Sequence, residues 1–121
     1  MLTIMLAAAL GIAAADCKTD YGQTACGYHC LADYGQVRCA QTPFGACRAD
    51  YGQVRCWDPP RWVIRAFRGS PPQAECRADY GQVACGYHCV ADYGQVRCAV
   101  SPAGRCQAAN GTVQCFDPRP W

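Results

Sequence analysis

Apolar residues are divided very unevenly along the chain. Residues 1–15, MLTIMLAAALGIAAA, form an apolar run without a charged side chain. Beyond residue 15 only Leu31, Ile64, eight valines and three phenylalanines remain among Leu, Ile, Val and Phe. That is below the level from which a chain of this size builds a conventional core. What recurs instead is cysteine, at 17, 26, 30, 39, 47 and 56 and again at 76, 85, 89, 98, 106 and 115. The second set is the first displaced by 59 residues, and residues 17–62 match 76–121 at 30 of 46 positions. The chain is therefore read as two tandem modules, 16–62 and 76–121. Between them, residues 63–75 (VIRAFRGSPPQAE) have no cysteine and carry Gly69, Ser70, Pro71 and Pro72, which predicts a linker.

Each module divides again into three C-x8-C units. They run CKTDYGQTAC, CLADYGQVRC and CRADYGQVRC, then CRADYGQVAC, CVADYGQVRC and CQAANGTVQC. Asn110-Gly111 in the last unit is a strong signal for a two-residue hairpin turn, since both turn positions need positive φ. Tyr-Gly holds that place in the other five. With a two-residue turn, Asp33 faces Gln36, Ala32 faces Val37, Leu31 faces Arg38, and Cys30 faces Cys39 at a non-hydrogen-bonded pair. There the Cα atoms approach most closely, which a disulfide can bridge. A type I turn with Gly35 as a bulge would spare Tyr34 the left-handed region and shift the cysteines out of register. Six cysteines allow fifteen connectivities per module. The expected pairing is sequential, each C-x8-C unit closing on itself. The predicted fold is thus small, disulfide-rich and mostly β, with two tandem modules of three short hairpins.

Composition agrees with that picture. Twelve cysteines in 121 residues mark a disulfide scaffold, because so small a domain buries too little surface to offset chain entropy unaided. Closing a ten-residue loop contributes about 2.7 kcal/mol in the chain-entropy model. The charge balance, +2 with 17% charged residues, gives no electrostatic footprint for nucleic acid. Arg61, Arg65 and Arg68 form a local basic cluster of the kind usually solvated. Residues 1–15 read as a signal peptide with an A-x-A site at Ala13 and Ala15, although the usual preceding positive charges are missing. The run is too short to span a bilayer comfortably. The mature chain is accordingly expected to be secreted or at the cell surface, without a membrane span.

The D-Y-G-Q and C-G-Y-H-C motifs give the sequence a likeness covering nearly all of residues 17–118. It resembles cysteine-rich repeats of short exported bacterial proteins, a group with no established activity. That resemblance implies a secreted repeat module and no particular ligand.

Several residues bear candidate chemistry. In C-G-Y-H-C, at Cys26–Cys30 and Cys85–Cys89, two thiols flank His29 or His88, types that zinc or copper accepts. Oxidised cysteines in an exported chain supply no thiolate, so structural disulfides are expected at all twelve, with no metal and no cofactor. Redox catalysis usually needs C-x-x-C at a helix start, and here the gap is three residues with no helical pattern beside it. Neither G-x-S-x-G nor H-E-x-x-H occurs, so no catalytic residue is assigned. The tip tyrosines Tyr21, Tyr34, Tyr51, Tyr80 and Tyr93 are the candidate binding residues, since repeated aromatic platforms suit a sugar, a polymer or a protein. The opposing reading folds these rings onto neighbouring hairpins in place of an aliphatic core, and it suits the middle hairpin best. Trp57-Asp-Pro and Phe116-Asp-Pro look like module terminators, with Trp62 and Trp121 as further caps or exposed contacts. The expected function is non-enzymatic binding of an extracellular protein, glycan or polymer, with avidity from two copies. The alternatives are self-association into a fibre or coat and an inhibitor or toxin-like effector displaying loops 40–46 and 99–105.

Overall fold

The computed structural model describes residues 14–118. Almost all of residues 1–15 and Trp121 lie outside the described residues. The strands are β1 (Asp16–Asp20), β2 (Gln23–Asp33), β3 (Gln36–Ala40), β4 (Ala46–Asp50) and β5 (Gln53–Trp57) in the first copy. In the second they are β6 (Glu75–Asp79), β7 (Gln82–Asp92), β8 (Gln95–Ala99), β9 (Arg105–Ala109) and β10 (Thr112–Phe116), and one helix, α1 (Arg61–Ala66), joins the copies.

Six antiparallel hairpins result, and each is closed by its own disulfide. The bridges are Cys17–Cys26, Cys30–Cys39, Cys47–Cys56, Cys76–Cys85, Cys89–Cys98 and Cys106–Cys115. No cysteine is free. Sequential pairing follows from the register. Asp20 faces Gln23 and Cys17 faces Cys26, so two residues form the turn. The bridged Cα atoms lie 3.9–4.1 Å apart, the close approach of a non-hydrogen-bonded pair. The five tip tyrosines take the left-handed conformation (φ 46–51°) and the following glycines φ 77–82°, so the alternative bulged turn is not used. A left-handed aromatic residue costs roughly 1–2 kcal/mol, and the contacts described below offset it.

β2 serves two hairpins. A straight strand of 11 residues would hold its ends roughly 35 Å apart. Yet the Gly35 amide, at one end, donates to Asp20 beside the other at 2.9 Å. The strand therefore doubles back between its two ladders, where the register shifts between Tyr28 and Leu31 and His29 is left-handed (φ 55°). Gly27 enables the fold, because a Cβ there would collide with Ala40 O and Cys39 Cβ. β7 repeats the device at Gly86 and His88.

The hairpins stack face to face in chain order. β2 lies over β4 and β3 over β5, and β4 and β5 lie over β6 and β7 across the module boundary. Residues of one hairpin alternate between two faces. One face carries the bridge and Ala49 with Val54, and the other carries Arg48, Asp50, Gln53 and Arg55. The second face of each hairpin meets the bridge face of the next. Gln36 Oε1 accepts from the Val54 amide, and Gln95 Oε1 from the Val113 amide. Val54 and Val113 are accordingly buried, 2% and 3% exposed. The stack has a direction, and its two ends differ from its middle. On the outward bridge face of the first hairpin, Thr19 and Thr24 replace the usual alanine and valine and bond each other at 2.9 Å. On the outward face of the last stand Gln107, Ala109, Thr112 and Gln114, all exposed.

The segment read as a linker is anchored at a few points, with residues 65–70 exposed between them. Pro59 and Pro60 precede α1, Pro60 sets its start at φ −66°, and Val63 and Ala74 are buried at the module boundary. Trp57 joins them, its ring meeting Tyr87 edge to face at 5.8 Å. Tyr87 is 4% exposed and its hydroxyl donates to Pro72 O at 2.9 Å. Burial pushes its phenol above the usual tyrosine range.

Candidate functional site

The tip edge is built from the repeated D-Y-G-Q turn. Because each turn is a two-residue one, its aspartate closes the ladder and aims its carboxylate along the stack. Asp20, Asp33, Asp79 and Asp92 accept from the amides of Gly35, Gly52, Gly94 and Gly111, at 2.9–3.0 Å. Each tyrosine leans over the same glycine. A Cβ on Gly52 would stand 2.8 Å from Tyr34 Cδ2, and the same geometry links Tyr21 to Gly35, Tyr51 to Gly81, Tyr80 to Gly94 and Tyr93 to Gly111. Glycine is therefore required twice over, for its positive φ and for the ring above it.

One edge of each ring rests on the next turn, and the rest faces solvent. Tyr21, Tyr34, Tyr51, Tyr80 and Tyr93 are 79–83% exposed. The middle hairpin is no exception, with Tyr34 80% exposed, so the inward packing expected there is not found. The aromatic residues that do replace an aliphatic core are Trp57 and Tyr87 at the module boundary. The result is a row of five aromatic platforms along one edge of a stack held by covalent bridges. The sixth position is Asn110, which lacks a ring, so the row ends there.

The C-G-Y-H-C motifs serve the backbone. Cys26 and Cys30 belong to different bridges, as do Cys85 and Cys89. His29 Nε2 donates to Pro43 O at 2.9 Å, and His88 Nε2 to Pro102 O at 2.8 Å. A carbonyl only accepts, so Nε2 carries the proton in both rings. Among the described residues no three His, Cys, Asp or Glu side chains gather as they would around a metal ion.

The divergent loops are held down as well. Asp58 accepts from the amides of Gln41 and Thr42 and from Thr42 Oγ1 at 2.9–3.0 Å. Asp117 does the same for Val100 and Ser101. These aspartates of the terminator motifs fasten the loop to the end of each module. Trp62 packs against the boundary cluster, whereas Phe116, the counterpart of Trp57, is 72% exposed.

Asp16, Asp20, Asp33, Asp58, Glu75, Asp79, Asp92 and Asp117 all accept from backbone amides. Arginines recur instead beside the closing cysteine, as Arg38, Arg55 and Arg97, exposed and without a carboxylate partner among the described residues. A cleft of about 410 Å³ lies beside the module boundary, lined in part by Arg38, Arg55, Gln36, Gln53 and Trp57. Sequence reading missed it, although arginine at the same point of three units was the available signal.

No protein-family model, curated protein or solved structure matches the chain. Among the described residues no helix is long and apolar enough to cross a membrane. The chain is a disulfide-closed hairpin stack with an exposed aromatic edge.

Proposed function

We propose that the protein is a secreted, non-enzymatic binding module that holds an extended partner along its tyrosine row. The observation carrying this reading is the exposure, 79–83%, of five tyrosines repeated on one edge. Exposed aromatic side chains normally turn inward in a chain so short of apolar residues. Here the backbone accepts a left-handed tyrosine at five turns and leaves the ring outside. Tyrosine presents area and a hydroxyl with little rotamer entropy to lose, and several sites on one rigid stack raise avidity for a repeating partner. Six disulfides fit an oxidising compartment, and the resemblance to exported repeats points the same way.

The fibre reading has less support. Terminal repeats with polar outer faces close a stack rather than extend it. Thr19 with Thr24 at one end and Gln107, Thr112 and Gln114 at the other supply such faces.

The test is a panel of soluble glycans and synthetic polymers against the oxidised protein, with Tyr34→Ala and Tyr93→Ala. Binding weakened in both variants supports the row. Unchanged binding in both excludes it, and concentration-dependent filaments in light scattering would favour the fibre.

A further inference from the structure

We infer that the partner is an acidic polysaccharide, whose carboxylate or sulfate groups enter the cleft beside the module boundary. The inference deepens the tyrosine-row reading, but it rests on a separate group of residues. Arg38 and Arg55 come from successive hairpins and point the same way along the stack. Both line the cleft, together with Gln36, Gln53 and Trp57, and no carboxylate lines it. Neither guanidinium has a carboxylate partner among the described residues. In this chain eight of the nine acidic side chains accept from backbone amides. The ninth, Asp50, shares a hairpin face with Arg55 but does not line the cleft, which leaves the cleft's arginines open to an outside anion.

Hairpins two, three and five place arginine before the closing cysteine, but the fourth places Ala84 there. Ala84 also lines the cleft, together with Val83 and Cys85 of the fourth hairpin's bridge region. A second concavity repeats the pairing nearer the tips, bringing Tyr93 and Arg97 together with Gln82 and Gln95. Ring face, amide and guanidinium in one groove correspond to the C–H face, hydroxyls and acid group of a uronic or sulfated sugar. That combination favours an acidic glycan over an acidic peptide.

Polygalacturonate, its fully methyl-esterified form, heparin and polyglutamate serve as probes in calorimetric titrations of the oxidised protein. At least one acidic glycan is expected to bind. If it is polygalacturonate, methyl esterification weakens binding by about tenfold or more, and 0.5 M salt does so for either acidic glycan. Arg38→Gln with Arg55→Gln should produce a similar loss while the six bridges, checked by mass spectrometry, stay sequential. Failure of both acidic glycans to bind, equal binding of the esterified polymer, or an unaffected double variant overturns the inference. Tighter binding of polyglutamate replaces the glycan with an acidic protein. Loss in the tyrosine variants without loss in the arginine variants leaves the row standing and removes the cleft. The reverse pattern removes the row.

Discussion

Alanine in place of Gly52 tests the contact that joins one hairpin to the next. Two terms oppose the substitution. Gly52 has φ 77°, so alanine there carries a left-handed penalty of about 1 kcal/mol. The new Cβ would also stand 2.8 Å from Tyr34 Cδ2, closer than real Cβ atoms approach. The ring is exposed and swings aside, giving up its contact with the turn. If roughly 30 Å² is uncovered, the loss is about 0.8 kcal/mol at ~25 cal/mol/Å². Gly52→Ala should then destabilise by about 2 kcal/mol. Gly22→Ala isolates the first term, since Gly22 has φ 78° with nothing within 4 Å of its Cβ position, and it should cost about 1 kcal/mol. In a Tyr34→Ala background the extra cost at Gly52 should vanish, a coupling that a double-mutant cycle reads directly. Guanidinium unfolding of oxidised protein, followed by near-UV circular dichroism, supplies the values. Equal costs at Gly22 and Gly52, or no coupling to Tyr34, would refute the reasoning.

Other perturbations act on different links. Asp58→Ala strands the amides of Gln41 and Thr42 and should cost about 2–4 kcal/mol in denaturant unfolding, with Asp58→Asn milder because one oxygen remains. Tyr87 is held above its ordinary range by burial, so the folded state resists its ionisation. Its stabilising share is complete below the unfolded value near 10 and is lost as pH rises toward the folded value. Melting points taken at pH 8 and pH 10.5 should therefore fall less in Tyr87→Phe than in the parent. His29→Val should destabilise more than His29→Gly in thermal melts. Both lose the bond to Pro43 O, but valine alone must enter the left-handed region at φ 55°.

How far the sequence announces this molecule depends on the residue asked. The C-x8-C spacing and Asn110-Gly111 predict hairpins and their bridges because register is a local matter, settled within ten residues. Tyr34 resists such reading. Its local cost favours a different turn, and only the neighbouring hairpin supplies Gly52 beneath its ring and the amide that Asp33 binds. The folding of β2 at Gly27–His29 is similarly tertiary, since it is fixed by Cys39 and Ala40 beneath the glycine. Residues 61–66 lack a sustained helical pattern, yet they form α1 because Val63 fills the boundary beside Ala74 and Tyr87. Of the candidate site, the tyrosines were legible as a repeat and their outward direction was not. The arginine cleft depends on the order in which hairpins stack, which no single repeat contains.

The most direct test of the outward row is tyrosine-selective nitration of the oxidised protein, followed by peptide mass spectrometry. The structure predicts rapid modification of Tyr21, Tyr34, Tyr51, Tyr80 and Tyr93 and protection of Tyr87. Protection of the five tip tyrosines, with Tyr87 modified as readily as they are, would contradict the stack.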